Sequence, residues 1–328
     1  MKRQSWIDVL KGIAILTVVI DHSFFLFPQL RVNLLWQHTY FSIAWFIFLS
    51  GVANTLSAQK NTDWKFPGSY LHFWKKRFSI LIPYIIASAT AYLFLYNDKF
   101  DLKELIRQIL FFSAQPTYYF INLICQMYLI FPLLFTLVKS AINRPLRIFL
   151  SLAVFFLSLA IFPLGNIPLI WPFSPVGRLL GSTYLSAFFL GILFVSKGKL
   201  NKKLLFFPSI PVFIILEYLL LFTNNNFVGL APNVFQVFWA LSLLGITSYM
   251  LPLLKFIKSI YYSLAFLGKH SLYIYLYHYL ILILLSKIIT PSTFLDLFFF
   301  VVSAVAGSLA IDYFYQRLMK LTLRKLTF

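Results

Sequence analysis

Cysteine and acidic residues are scarce in this chain of 328 residues, and the scarcity of cysteine restricts the kinds of site that it can form. The one cysteine, Cys125, lies inside an apolar run, which excludes an intrachain disulfide and a cysteine metal cluster. The five histidines are scattered, and no two of them have HxxxH or HExxH spacing. The chain also has no P-loop and no GxGxxG motif. We therefore expect no metal site and no tightly bound cofactor.

Apolar residues dominate what is present. Sixty per cent of the residues are hydrophobic, 20% are aromatic, and the mean hydropathy is +0.83. Runs of about 20 apolar residues predict membrane-spanning helices, whereas an outer-membrane barrel would show shorter alternating segments. We predict an all-α, polytopic transmembrane bundle that forms a single domain over 1–328. The ten predicted spans are 7–28, 33–56, 78–96, 117–138, 147–164, 181–196, 204–223, 232–251, 269–289 and 295–316.

The basic residues are unevenly divided between the two sides of the membrane. With the N-terminus in the cytoplasm, 22 of the 28 lysines and arginines fall on the inner side. The six on the outer side are Arg31, Lys99, Lys103, Arg107, Arg178 and Lys287. This positive-inside distribution predicts that both termini are cytoplasmic, in an inner or plasma membrane. Membrane topology also explains most of the net charge of +19, so we expect membrane lipids and no nucleic acid as partners.

One outer connection has helical periodicity of its own. In DLKELIRQILFF, apolar residues recur at the spacing of a one-sided helix, and Asp101 is placed to cap its start. We predict a helix that lies in the outer membrane interface and joins two spans.

Asp21 and His22 are adjacent near the outer end of the first span, where unpaired polar groups are costly to bury. His22 lies eleven residues after Lys11, so the two share one helical face within about 20° and are roughly 16 Å apart. Histidine is suited to proton transfer near neutral pH, and Lys11 can meet an anionic group that enters from the cytoplasm. Asp21 points about 100° away from His22, so we expect a carboxylate from another helix to orient His22.

Other polar residues lie inside predicted spans. Glu217 and His278 are mid-span, and an intramembrane ionisable group is a candidate for function; for Glu217 the alternative is a structural ion pair. Asn122 and Gln126 are one turn apart on one helix face. They are suited either to binding sugar hydroxyls or to hydrogen bonding between helices.

Several stretches together resemble the acyltransferase-3 family of integral membrane acyltransferases. IDVLKGIAILTVVIDH at 7–22 resembles the family's first helix, and WFIFLSG at 45–51 the end of its second. KKRFSILIPY at 75–84 is similar to the basic entry of its third helix. LGKHSLYIYLYH at 267–278 is similar to a late-helix signature of the polysaccharide O-acetylase branch, and 118–134 fits more loosely.

The resemblance implies transfer of an acetyl group from acetyl-CoA to a hydroxyl of a glycan or glycolipid, with His22 as the catalytic histidine. It places phosphate binding at Lys11 and at the cluster Lys75, Lys76 and Arg77, for which positive-inside topology is the alternative explanation. This chain has Lys11 where the family commonly has arginine, and Ile80 where a second arginine often follows Arg77. A lysine binds phosphate as a point charge rather than as a bidentate fork.

We therefore expect a membrane O-acyltransferase whose catalytic residues include His22, Glu217 and His278. Asn122 and Gln126 are its candidate substrate-binding residues. The alternative from another class is a transporter or flippase for a small anion or a lipid-linked glycan. Transporters usually show paired halves with broken helices, and no such pairing is visible in this sequence. The acceptor and the oligomeric state are not specified by the sequence.

Overall fold

The computed structural model describes residues 4–30, 32, 36–60, 68–95, 100–140, 144–164, 184–196, 199–222 and 234–326. These residues form two compact units, Met1–Thr39 with Lys258–Phe328 (unit 1) and Tyr40–Ile257 (unit 2). The earlier expectation of a single domain stays a prediction.

Unit 1 is built from four described helices. They are α1 (Ser5–Leu26), followed by a short 3-10 turn (Pro28–Leu30), and α11 (Lys258–Lys269), α12 (Ser271–Ser286) and α13 (Phe294–Leu326). A helix satisfies its own backbone hydrogen bonds, which is why long apolar sequences adopt it in a membrane. Helix α1 packs on α11, α12 and α13.

Unit 2 contains the remaining elements. The helices are α2 (Phe41–Ala58), α3 (Gly68–Arg77), α4 (Leu81–Leu95), α5 (Leu102–Leu110), α6 (Tyr119–Ser140), α7 (Arg144–Leu164), α8 (Tyr184–Leu193), α9 (Lys202–Phe222) and α10 (Val234–Leu254). Two 3-10 turns, Phe78–Ile80 and Pro116–Tyr118, precede α4 and α6. A two-residue ladder pairs β1 (Val195–Ser196) with β2 (Lys199–Leu200) in antiparallel register.

The all-α membrane architecture predicted from the sequence is confirmed. Among the described residues, six helices are long and apolar enough to cross a membrane, and four shorter apolar helices accompany them. All ten coincide with predicted spans, although the first residues of spans 33–56, 181–196 and 232–251 lie outside the described part of the chain. The described helices are therefore consistent with the ten predicted spans.

Two helices were not predicted, α3 and α11. Helix α3 ends in Lys75, Lys76 and Arg77, and it leads through the 3-10 turn into α4 as one long helical segment. Helix α11 is amphipathic and only 12 residues long. Neither has the uninterrupted apolar run by which a span is recognised, so a search of the sequence for membrane spans does not predict either helix.

Helices α1 and α11 approach each other at backbone distance. A Cβ on Gly268 would lie 1.7 Å from the Asp8 carbonyl oxygen, and a Cβ on Gly12 would lie 2.0 Å from the Leu264 carbonyl oxygen. Only glycine permits such contact, which is a common device where helices associate within a membrane. The N-terminal half of α1 is therefore fixed against α11.

Unit 2 uses the same device between α2 and α8. A Cβ on Gly51 would meet the Phe188 carbonyl oxygen at 2.3 Å, and one on Gly191 would meet the Phe48 carbonyl oxygen at 2.2 Å. On another side of α2, the Trp45 indole donates to the Ala240 carbonyl of α10 at 2.7 Å. Trp45 is buried, so this bond satisfies its polar edge inside the unit.

The predicted helix α5 is present and is capped as expected. The Asp101 carboxylate accepts from the Lys103 backbone N–H at 2.8 Å. Tyr84 of α4 donates to the Ile109 carbonyl at 2.8 Å, which ties the end of α5 to α4. On the exposed face of α5, hydrogen bonds from Arg107 and then from Gln108 lower the pKa of Glu104 to about 2.

Candidate active site

Two histidines that are distant in the sequence meet inside unit 1. His22 lies in the last part of α1 and His278 in the middle of α12. The His22 Nδ1 and His278 Nε2 atoms are 2.8 Å apart, which is hydrogen-bond distance. We call these two residues the histidine pair.

The surroundings of His278 determine where the protons of the pair lie. His278 Nδ1 is 2.8 Å from the Ile274 carbonyl oxygen and 2.9 Å from the Tyr275 carbonyl oxygen. Carbonyl oxygens only accept, so His278 Nδ1 carries a hydrogen and donates it. In the neutral ring, His278 Nε2 then has a lone pair and accepts from His22 Nδ1–H. The neutral His22 ring consequently has its own free lone pair on Nε2.

The two members of the pair differ in exposure. His278 is completely buried, whereas His22 is half-buried. The Tyr279 ring lies edge-on to the His22 imidazole, with the ring centroids 5.5 Å apart. Within the described part of the chain, His278 is the hydrogen-bond partner of His22. The pair therefore combines a fully buried histidine, His278, that fixes the orientation of the His22 ring with a more exposed one, His22, that has a basic nitrogen.

Asp21 faces a different partner from His22, as the helical geometry predicts. The Thr39 hydroxyl donates to Asp21 Oδ1 at 2.7 Å. The expected orienting carboxylate is not found at His22 Nδ1, because α12 packs on α1 and places the His278 ring there. A neutral imidazole accepts the hydrogen bond that we expected a carboxylate to accept.

Lys11 lies on α1 together with His22, in the part of the helix fixed by Gly12. The helix runs from Ser5 to Leu26 without a break, so the three-turn spacing is kept and corresponds to about 16 Å. The Lys11 side chain is half-buried. Its place on the helix is as expected, and its role as a phosphate ligand stays a prediction.

Glu217 interacts within unit 2. Its Oε2 atom accepts from the Trp239 indole N–H at 2.8 Å, which links α9 to α10. Glu217 and the histidine pair belong to different units. A catalytic role for Glu217 stays a prediction, and Trp239 is a partner that sequence reasoning did not identify.

The basic cluster at 75–77 ends helix α3. Lys75 and Lys76 are exposed, whereas Arg77 is half-buried, with its guanidinium 5.5 Å from the centre of the Phe73 ring. Arg77 Nε is buried and has no hydrogen-bond partner among the described residues. The Trp74 indole donates to the Tyr128 carbonyl at 3.1 Å, which anchors α3 to α6.

Asn122 and Gln126 bond to each other along α6. Gln126 Nε2 donates to Asn122 Oδ1 at 3.0 Å, within the helix rather than between helices. Gln126 Oε1 is buried and has no partner in the described part of the chain. Their role as substrate-binding residues stays a prediction.

The structure brings His22 and His278 together and keeps Lys11 on the same helix as His22. Two residues at this site were missed, Thr39 as the partner of Asp21 and Tyr279 as the aromatic neighbour of His22. No sequence signal identifies Thr39. Tyr279 belongs to a run of alternating tyrosines at 273–279, and nothing in that pattern distinguishes it from the other three.

A comparison with protein families agrees with the resemblance seen in the sequence. The family model described as an acyltransferase domain matches residues 4–313, which include every candidate site residue named above. No curated protein and no solved structure gives a significant match to the chain.

Proposed function

Because the chain belongs to the acyltransferase-3 family, we propose that it is a membrane O-acetyltransferase. In this proposal it moves an acetyl group from acetyl-CoA to a hydroxyl of a cell-surface polysaccharide or of the lipid-linked precursor. The domain itself is a membrane acyltransferase domain with several apolar helices. The donor, the acceptor and the residue roles are our proposal.

The observation that carries the proposal is the hydrogen bond between His22 Nδ1 and His278 Nε2 at 2.8 Å. A general base needs a free lone pair and a fixed orientation. The two backbone carbonyls that face His278 Nδ1 set the tautomer of both rings. His22 Nε2 is then the nitrogen that accepts a proton.

In the reaction, His22 Nε2 takes the proton from the acceptor hydroxyl while the hydroxyl oxygen attacks the thioester carbonyl. The new C–O bond forms and the C–S bond breaks. The departing thiolate then takes the proton from His22 Nε2, which regenerates the neutral ring and releases CoA as a thiol. While His22 is an imidazolium, its Nδ1–H donates to His278 Nε2, which stabilises the charge.

A covalent route would use the same atom. If the acetyl group passed through His22, it would be attached at Nε2, because Nδ1 is engaged with His278. The assignment of His22 Nε2 as the reactive atom therefore holds for both routes. Lack of an acetylated intermediate in a quenched reaction would favour the general-base route.

We assign donor binding to Lys11, Lys75, Lys76 and Arg77. Arg77 Nε is buried without a partner among the described residues, and a phosphate oxygen is an acceptor that would satisfy it. The distance of about 16 Å between Lys11 and His22 is comparable to the length of an extended pantetheine arm. A phosphate held near Lys11 would therefore leave the thioester within reach of His22.

The test uses the full chain in membranes, supplied with acetyl-CoA that carries a labelled acetyl group and with surface glycan as the acceptor. We expect release of CoA thiol together with label in the alkali-labile fraction of the glycan, and neither product with His22→Ala. Acetyl content of the surface glycan should fall when the protein is removed from the cell. If the wild-type protein moved glycan or an anion without consuming acetyl-CoA, the transporter alternative would replace this proposal.

A further inference from the structure

A group of neutral side chains with buried polar atoms lies at the end of α5 and in its connection to α6 in unit 2, at the predicted outer side. We call Gln108, Ser113 and Gln115 the outer polar cluster. Gln115 is 1% exposed and Gln108 is 5% exposed. Neither Nε2 nor Oε1 of Gln115 has a hydrogen-bond partner among the described residues, and the same holds for Gln108 Oε1 and Ser113 Oγ.

Such a concentration of unsatisfied atoms is unusual in one short stretch. Buried polar groups in folded proteins almost always have partners, and each exception calls for an explanation such as a bound ligand or water. Gln115 is the clearest exception, because its whole amide is buried and both of its polar atoms lack a partner. The stretch therefore has the properties of a binding site for a molecule that both donates and accepts hydrogen bonds.

The backbone that carries the cluster is strained and held in place. Phe112 has φ of 56°, in the left-handed region that bulky residues rarely adopt. The Phe112 ring stacks on the Tyr84 ring, with 4.8 Å between the centroids. The Tyr118 ring meets the Tyr84 ring edge-on, with 5.4 Å between the centroids. The Ser113 backbone N–H donates to the Gln108 carbonyl at 3.0 Å, which closes the turn. Strain of this kind is concentrated at functional sites, where the surrounding packing maintains it.

The chemistry of the cluster indicates a neutral ligand. The nearby charged residues Glu104 and Arg107 form two hydrogen bonds of 2.6 Å with each other on the exposed face of α5. The atoms left over are those of amides and a hydroxyl, which match the alternating donors and acceptors of sugar hydroxyls. We propose that the outer polar cluster binds hydroxyl groups of a neutral sugar in the acceptor. The inference rests on the proposed function and adds the chemical class of the acceptor and its place of binding.

The experiment measures sugar binding without the reaction. The full chain is placed in lipid nanodiscs free of glycosidic detergent, and saturation-transfer NMR is recorded with methyl α-glucopyranoside, methyl β-galactopyranoside and methyl N-acetyl-β-glucosaminide. The variant is Gln115→Leu, which keeps the side-chain size and removes both polar atoms. The matched control is Gln236→Leu, because Gln236 is also buried in unit 2 but donates to the Tyr40 carbonyl at 3.3 Å.

We expect at least one glycoside to bind to the wild type and to Gln236→Leu, and to bind about 2- to 10-fold more weakly to Gln115→Leu for each hydrogen bond lost. We also expect the melting temperature of Gln115→Leu to equal or exceed that of the wild type, because the change removes a buried polar group without a partner. The proposal is overturned if no glycoside binds, if Gln115→Leu binds equally well, or if its melting temperature falls. A fall would identify the amide as a structural group served by water.

The binding assay needs neither acetyl-CoA nor His22, so the two proposals can fail separately. Sugar binding that depends on Gln115, in a protein that transfers no acetyl group, would contradict the proposed function alone. Acetyl transfer to glycan together with glycoside binding that is unaffected by Gln115→Leu would contradict the outer polar cluster alone.

Discussion

The two histidines of the pair differ in how many of their ring nitrogens have hydrogen-bond partners, and this difference gives them different proposed roles. His278 donates from Nδ1 to backbone carbonyls and accepts at Nε2, so both of its nitrogens are occupied. His22 has one occupied nitrogen and one free lone pair. In the proposed function, His278 is therefore a positioning residue, and His22 is the residue that contacts the substrate.

This difference predicts distinct effects of two His278 substitutions. His278→Leu should lower kcat by roughly 10²-fold or more, since loss of a tautomer-setting partner costs up to about 10⁴-fold in other enzymes. The KM for acetyl-CoA should stay nearly unchanged, because the change does not reach a phosphate ligand. His278→Gln should retain more activity, since its amide oxygen can accept from His22 Nδ1–H.

The control measurement for this prediction is ¹⁵N NMR of the His22 ring. In the wild type we expect the hydrogen on Nδ1, and in His278→Leu a mixture of tautomers. If His278→Leu left both the tautomer and kcat unchanged, the positioning role would be refuted. A loss of folded protein without a change of tautomer would indicate a role in packing alone.

Lys11 gives a second prediction at the residue scale. Lys11→Ala should raise the KM for acetyl-CoA with kcat nearly kept, because a phosphate contact remote from the reacting atoms binds ground state and transition state equally. Lys11→Arg should be tolerated, because arginine also binds phosphate. Steady-state kinetics with acetyl-CoA as the varied substrate make the comparison. An unchanged KM in Lys11→Ala would place the phosphate site elsewhere.

The residues of the site could be predicted from the sequence more readily than their pairing. His22 is conspicuous because a histidine inside an apolar run is costly, and its relation to Lys11 follows from helical geometry. His278 was identified as an intramembrane histidine. The contact between them joins positions 256 residues apart, and no spacing rule predicts which helix packs against which.

At the scale of helices, the position of His22 depends on how α1 is held. The glycine contacts Gly12 and Gly268 fix the first half of α1 on α11, and the packing of α1 on α12 brings His22 to His278. The site is thus assembled by contacts between helices that are far apart in the chain. A change at the glycine contacts should be felt as a loss of stability.

We expect Gly268→Ala to destabilise the protein. Its Cβ would lie 1.7 Å from the Asp8 carbonyl oxygen, so backbone must move, and overpacking of this kind typically costs about 1–3 kcal/mol or more. The gain in helix propensity from glycine to alanine is at most about 1 kcal/mol and does not compensate. The measurement is the melting temperature of the purified protein.

Gly68→Ala is the matched control for Gly268→Ala. A Cβ at Gly68 meets nothing within 4 Å, so the melting temperature should not fall. Equal melting temperatures for Gly268→Ala and the wild type would mean that α1 and α11 are not in backbone contact.

The elements that follow from a local pattern were predictable, and the others were not. Long apolar runs and the one-sided periodicity with Asp101 as cap were sufficient for the spans and for α5. Helix α11 was missed because its sequence is amphipathic and its partner surface on α1 lies about 250 residues away along the chain. The outer polar cluster was missed because Gln108, Ser113 and Gln115 belong to no periodic pattern.

At the scale of the whole molecule, the charge distribution predicts the topology. The division of 22 inner and six outer basic residues requires an even number of spans between two cytoplasmic termini. A reporter that is active only in the cytoplasm should therefore be active when it is fused after Phe328. An extracytoplasmic C-terminus would contradict the odd–even assignment of the spans.

The most direct measurement of the central claim compares acetyl transfer by the wild type, His22→Ala and Asp21→Asn at matched membrane abundance. The account predicts that His22→Ala lowers transfer to glycan by at least about 10²–10⁴-fold, the usual contribution of a general base. His22→Ala should still insert, because it makes the span more apolar. Asp21→Asn should keep measurable activity, since Asp21 bonds to Thr39 and not to His22. Transfer by His22→Ala near the wild-type rate would contradict the account.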